Sequence, residues 1–242
     1  MSGPLDKGRL RARVAAGDVT MGTFVGTASP VTAEVCAAAG FDWLLLDLEH
    51  GAGGEEQVRA TVPMASAYGV PTVVRVESDA RIRAGRVLDA GAAGVMLPRL
   101  ETVAEVQAAV AHLYYPPRGD RGVATYNRAC RFGLDPGALE RANDEVLGIV
   151  QIESAHAVAN AGEIAAVDGV DVLFVGPRDL SHDLGVPGRS PQRSSWMPWS
   201  KSGWQHGSTE RPADCSFPTA RRRRPRRRRD GLSSLLVLIR PC

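Results

Sequence analysis

The segment Phe41-Asp42-Trp43-Leu44-Leu45-Leu46-Asp47-Leu48-Glu49-His50-Gly51 constrains the fold most, because a continuous apolar run stops abruptly at two carboxylates, an imidazole and a glycine. A short apolar run without alternation reads as a strand buried on both faces, and such strands belong to parallel sheets covered by helices. In these folds chemistry is placed at the carboxyl ends of the strands. His50 is therefore the first candidate for a titrating group, set against the plainer reading in which it ends the strand and hydrogen-bonds locally.

The pattern around this segment is regular as far as residue 188. Strands are expected at Val19–Gly26, Asp42–Leu48, Pro71–Val76, Gly94–Pro98, Val146–Glu153 and Asp171–Gly176, and helices at Val31–Ala39, Glu55–Tyr68, Arg81–Ala90, Thr102–Leu113 and Ala155–Ala166. Strands alternating with helices of this length form right-handed βαβ units around a parallel sheet. Gly40, Gly69 and Gly91 follow helical stretches and suit left-handed caps. The fold class is thus α/β, a (β/α)8 barrel of which about six βα units are recognisable. The stretch from Tyr114 to Glu145 is longer than the other connections, and its Tyr115-Pro116-Pro117-Arg118-Gly119-Asp120-Arg121-Gly122 is too rich in Pro and Gly for a helix. Its arginines could meet an anionic substrate or simply face solvent.

Charge divides the chain where the pattern stops. Residues 1–188 hold 16 Lys+Arg against 24 Asp+Glu, a net of −8, whereas residues 189–242 hold 13 against 3, a net of +10. The second stretch is rich in Arg, Pro, Ser and Trp and shows no sustained period beyond the short apolar run Leu232 to Ile239. It reads as a basic arm for nucleic acid, as a solvated tail, or as the product of a changed reading frame near Arg189. The last is favoured, because composition and periodicity change together. Residues 1–188 are then one barrel domain and 189–242 an atypical tail. A six-unit barrel ending this way should expose two sheet edges and half its interior, and be poorly stable alone. Cys36, Cys130, Cys215 and Cys242 contain no CxxC pair and read as free thiols. No apolar segment is long enough for a bilayer and Met1 to Asp6 lack a signal-peptide layout, so a cytoplasmic protein is expected.

The strand ends bring a coherent set of groups to one face. The second strand delivers Asp47, Glu49 and His50, the third Arg75, the fifth Gln151 and Glu153, and the sixth Gly176-Pro177-Arg178-Asp179. Two carboxylates with open positions, Glu153 and Asp179, suit a hard divalent cation that keeps waters and accepts a substrate. Arg75 offers a fixed charge to an oxyanion and His50 a base near neutral pH. Each has a structural alternative: the acids could cap the next helices, and Arg75 could pair with Asp47 or Glu77.

Taken together, LLLDLEHG, VVRV, LDAGAAGVMLPRLETVAEV, YPPRGDRG, QIES and VDVLFVGPRDLSHDLGVPG resemble the HpcH/HpaI class of metal-dependent pyruvate aldolases, over about Val19 to Gly188. The resemblance implies His50 as catalytic base, Asp89 as an acid raising its basicity, and Arg75 as the group that stabilises an enolate. It implies Glu153 and Asp179 as ligands of Mg2+, Mn2+ or Co2+, with Gln151, Gly176, Pro177 and Arg178 contacting the pyruvate carboxylate and keto oxygen. The implied reaction cleaves a 4-hydroxy-2-oxo acid to pyruvate and an aldehyde, in a homo-oligomer that is a hexamer in relatives. Lys7 is the only lysine before residue 189 and lies far from any strand end, which argues against a Schiff-base mechanism. The alternatives are an acyl-CoA lyase of the same superfamily, an inactive truncated relative, and a nucleic-acid binder resting on Arg221–Arg229 alone. The last lacks any element to read bases.

Overall fold

The computed structural model describes residues 7–187 and 235–238. Six strands run parallel in chain order: β1 (Thr20–Val25), β2 (Trp43–Asp47), β3 (Thr72–Arg75), β4 (Gly94–Leu97), β5 (Leu147–Ile152) and β6 (Val172–Val175). Each pairs with its neighbour in sequence, with Gly22 opposite Trp43, Leu44 opposite Thr72, Val73 opposite Gly94, Gly94 opposite Leu147 and Ile149 opposite Val172. The result is a curled partial barrel.

A seventh strand, β7 (Leu235–Leu238), runs antiparallel along β1, with Thr20 opposite Leu238 and Thr23 opposite Leu235. It falls within the apolar run of the tail. The expectation of two open sheet edges is corrected here, since β1 is paired on both sides, while β6 has one neighbour among the described residues. The other features read in residues 189–242, the arginine block and the changed frame, lie outside the described residues.

Strand alternation sorts side chains between two apolar layers. Leu44, Leu46, Val74, Val95, Val150 and Ile152 point outward into the layer beneath the helices. Trp43, Leu45, Val73, Met96, Leu147, Ile149 and Val172 point into the concave face, with Phe24 and Phe174 against them. Each inward column turns polar at its end: Trp43, Leu45 and then Asp47; Val73 and then Arg75; Leu147, Ile149, then Gln151 and Glu153. Period two thus converts the strand-end motifs into one polar layer resting on an apolar floor. Gly22 belongs to the same inner face, where a Cβ would stand 2.2 Å from the Trp43 indole.

Helices α2 (Pro30–Ala38), α3 (Glu55–Ala67), α4 (Arg81–Asp89) and α5 (Val103–Ala111) follow the first four strands as expected. Gly40, Gly69 and Gly91 take φ of +90°, +70° and +100° after them. The expected single helix Ala155–Ala166 is two short ones, α7 (Ala155–Ala159) and α8 (Ala161–Ala165), broken at Asn160, whose amide donates to Glu101 O at 2.8 Å. Three helices had no counterpart in the sequence reading: α1 (Gly8–Ala15), α6 (Ala138–Glu145) and α9 (Pro177–Asp183).

The first of these closes the floor. Leu10 and Val14, one turn apart on α1, are each 1% exposed and join the inner apolar cluster with Trp43 and Leu147. Arg11 reaches Asp171 at 3.1 Å, just before β6, and Arg13 reaches Asp42 at 2.7 Å, just before β2. Those carboxylates also accept from Gly148 N and Met21 N, so the helix is tied to the ends where strands begin. Burying two such side chains contributes about 1.5–3 kcal/mol each.

Candidate active site

Asp47, Arg75, Gln151 and Glu153 form one hydrogen-bonded chain across the inner face. Arg75 Nε donates to Asp47 Oδ1 at 2.8 Å and Nη2 to Oδ2 at 2.6 Å. Arg75 Nη1 donates to Gln151 Oε1 at 3.4 Å, and Gln151 Nε2 donates to Glu153 Oε2 at 2.5 Å. The amide is therefore oriented from both ends. The far oxygen of Glu153 accepts from Arg99 N at 2.7 Å. Arg99 holds a φ of +58°, a strained backbone for an arginine, and it aims that N–H into the site. Nothing in the sequence pattern marked Arg99.

Of the two expected structural partners for Arg75, Asp47 is the one found, with Glu49 at 3.3 Å beside it; Glu77 pairs with Arg83 instead. The guanidinium also lies 5.2 Å from the Phe24 ring centroid. Burial works against charge on both members of the pair. Their mutual bonds outweigh it, holding the Asp47 carboxyl below the usual carboxylate range and the Arg75 guanidinium above its own. Asp47 Oδ1 also accepts from Glu49 N at 3.1 Å and His50 N at 3.2 Å, so one carboxylate anchors Arg75 and shapes the turn that carries the imidazole. His50 itself is exposed, with Nε2 3.9 Å from Glu49 Oε1.

Glu153 is the electrostatic opposite of Asp47. Burial, together with the nearby charges of Glu49 and Asp179, pushes its carboxyl above the usual range despite the Arg99 N–H. Glu49 Oε2 is buried without a hydrogen-bond partner. Neither expected capping role is taken by these acids: Ser154 caps α7, accepting from Ala157 N at 3.0 Å, and Asp179 sits exposed in the first turn of α9. Gly176 approaches so closely that a Cβ would lie 2.8 Å from Gln151 Nε2 and 3.2 Å from Glu153 Oε2. Pro177 and Arg178 follow it, exposed, at the start of α9.

Glu153 thus lies within the fields of two other acids, Asp179 and Glu49, the latter 3.3 Å from Arg75 Nε. That is the chemistry of a donor set for a hard cation. Among the described residues, no three His, Cys, Asp or Glu side chains form a ready-made cage, so two protein carboxylates would leave most positions to water or substrate.

Two expected features lie elsewhere. Asp89 ends α4 and accepts from Arg121 Nη2 at 2.8 Å, near the starts of β4 and β5, so within this chain it does not meet His50; Asp47 attends that segment instead. The two loop arginines also face away from the site, Arg121 onto Asp89 and Arg118 onto Asp168 at 3.1 Å. Lys7 lies at the same strand-start end, with Nζ donating to Ala129 O at 3.0 Å.

A curled parallel α/β sheet that carries a buried arginine–carboxylate pair and further acids at its strand ends has the architecture in which barrel enzymes place their active sites. The chain belongs to the HpcH/HpaI aldolase/citrate lyase family, whose model matches residues 20–194. It is 42% identical over 185 residues to a hydroxypyruvate/pyruvate aldolase of Sagittula stellata, covering 76% of this chain and 73% of that one. It is 44% identical over 165 residues to a 2-dehydro-3,6-dideoxy-6-sulfogluconate aldolase of Pseudomonas putida, covering 68% of this chain and 65% of that one. A solved HpcH/HpaI family structure from Burkholderia cenocepacia J2315 superposes with a TM-score of 0.73 at 38% identity, covering 78% of this chain and 76% of that one. The matched region thus spans about two thirds to three quarters of these relatives. Among the described residues no helix is long and apolar enough to cross a membrane.

Proposed function

We propose that the chain is a metal-dependent aldolase that reversibly cleaves a 4-hydroxy-2-oxo acid to pyruvate and an aldehyde. The observation that carries this reading is the Asp47-Arg75-Gln151-Glu153 chain, which sets a rigid cation beside a carboxylate under negative strain. The names of the relatives, aldolases of pyruvate and of a 2-oxo sugar acid, support it.

Glu153 and Asp179 would hold the cation, Mg2+, Mn2+ or Co2+. When bound, such an ion supplies Lewis-acid polarisation of the 2-oxo acid. The residues do the rest. Gln151 and the turn Gly176-Pro177-Arg178 bind the carboxylate and keto end of the pyruvate portion, where Gly176 leaves room for close approach. His50 Nε2 takes the proton from the 4-hydroxyl as the C–C bond breaks and the hydroxyl carbon becomes the aldehyde. The bonding pair passes to C3 of the pyruvate fragment as an enolate whose oxygen meets the unengaged N–H groups of Arg75, and a proton taken up at C3 completes pyruvate while His50 gives up the one it accepted. Because Asp47 already fixes that guanidinium, little reorganisation is needed as charge develops. Lys7, remote from this end, supports a route without a Schiff base.

The test is pyruvate release from 4-hydroxy-2-oxo acids by the full chain with Mn2+, compared with His50→Ala. Loss of at least about a hundredfold in kcat with pyruvate binding retained supports the assignment. Unchanged kcat removes His50 from the mechanism.

A further inference from the structure

The turn that carries the imidazole is rich in glycine: it runs His50-Gly51-Ala52-Gly53-Gly54 from the end of β2 to the start of α3. Backbone of this kind has many conformations open to it, so the place of the imidazole depends on what fixes the turn. Its entry is fixed by Asp47, whose Oδ1 accepts from His50 N at 3.2 Å, and its middle by Ala52 N, which donates to Gly26 O at 3.0 Å. Its exit has no local anchor, because Gly54 occupies the N-cap of α3 and has no side chain to close the first turn.

That exit is held from α4 instead. Glu55, the first residue of α3, accepts from Arg83 Nη1 at 2.8 Å, and its other oxygen accepts from Arg86 Nε. Arg83 divides its guanidinium, with Nε 2.6 Å from Oε1 of Glu77, which stands just beyond Arg75 at the end of β3. The second oxygen of Glu77 is buried with no hydrogen-bond partner among the described residues, so this carboxylate depends on Arg83. Arg86 cannot take over the link, since among the described residues it meets Glu55 alone. One guanidinium thus joins the exit of the His50 turn to the strand end that carries Arg75. Partly exposed ion pairs of this kind contribute little to global stability, and the consequence of this one falls on geometry.

We propose that Arg83 is a positioning residue for the catalytic base, holding the His50 turn in register with Arg75 through Glu55 and Glu77. The inference rests on the aldolase reading, in which His50 takes a proton while Arg75 meets the enolate of the same substrate. The spacing of the two loops therefore enters the rate, and a misplacement of about 1 Å costs up to about a hundredfold.

The experiment is a double-mutant cycle on the full chain with Mn2+, reading pyruvate release for the native protein, Arg83→Met, His50→Ala and the two together. Arg83→Met keeps the apolar stem and removes the fork. Its kcat should fall about fivefold or more, with KM and calorimetric Mn2+ affinity near native, and in the His50→Ala background the same substitution should cost less than about twofold. Glu55→Gln, which leaves the Arg83–Glu77 pair in place, should reproduce the pattern. Arg83→Lys should recover part of the loss, because an ammonium meets one carboxylate where the fork meets two. Native kcat in both Arg83→Met and Glu55→Gln, or an equal loss with and without His50, would overturn the proposal and leave the base assignment standing. Native kcat in His50→Ala would overturn both.

Discussion

Arg75 and Asp47 face each other inside the sheet through two parallel bonds, Nε to Oδ1 at 2.8 Å and Nη2 to Oδ2 at 2.6 Å, with side chains 9% and 8% exposed. A pair so deeply placed owes its value to completeness, because either partner alone would be an uncompensated buried charge. Register makes it possible: the two residues are directly opposite on β2 and β3.

Asp47→Asn should therefore cost more than a surface ion pair. Removing one partner of a buried pair costs about 3–5 kcal/mol, read from the midpoint of urea unfolding. The same variant should lower kcat by freeing Arg75 and loosening the His50 turn. A loss below about 1 kcal/mol, the surface range, would mean that the pair is screened.

Acid should unfold the protein partly through this carboxylate. Asp47 has a folded pKa below its unfolded value, so the unfolded chain binds the proton more readily. Its contribution is fully present above the unfolded pKa of about 3.9 and is lost as pH falls through the lower, folded value. Urea midpoints measured from neutral pH to below 3 should fall along this limb, and Asp47→Asn should flatten it. An unchanged limb in the variant would assign acid sensitivity to other carboxylates.

Gly176→Ala should damage binding more than folding. The added methyl meets the Gln151 amide at 2.8 Å and Glu153 Oε2 at 3.2 Å, so it displaces the oriented pair while the strand persists. Calorimetric titration with Mn2+ should show affinity reduced about tenfold or more, against near-native secondary structure by circular dichroism. Native affinity would mean that these side chains yield without consequence.

Leu10→Ala tests the floor of the barrel. Leu10 is 1% exposed and packs with Trp43 and Leu147, so truncation should cost about 2–5 kcal/mol. A cost near zero would mean that α1 is dispensable to the inner face.

All six parallel strands lie within one residue of the sequence expectation at both ends, because fully buried runs such as Trp43 to Leu46 leave little choice of structure. The sequence reading named both halves of the Arg75–Asp47 pair but held it as an alternative, since register between strands is not visible in local pattern. Leu10 and Val14 carry helical spacing, yet α1 is short and its importance lies in covering a face built by residues far along the chain. Asp89 was drawn to His50 by resemblance, whereas α4 runs back along the sheet and delivers it to the strand-start end beside Arg121. Arg99 acts through its backbone N–H, which side-chain identity does not encode. The antiparallel β7 lies in the apolar run Leu232 to Ile239, whose pairing with β1 across the length of the chain no local pattern encodes.

The central claim is tested most directly by metal-dependent turnover. The full chain is incubated with a 4-hydroxy-2-oxo acid and Mn2+, and pyruvate is measured before and after chelation, in the native protein and in Glu153→Ala with Asp179→Ala. The account predicts pyruvate release that EDTA abolishes, Mn2+ restores, and the double variant lacks together with its Mn2+ affinity. Release that persists through chelation, or a double variant that binds Mn2+ and turns over like the native chain, would contradict it.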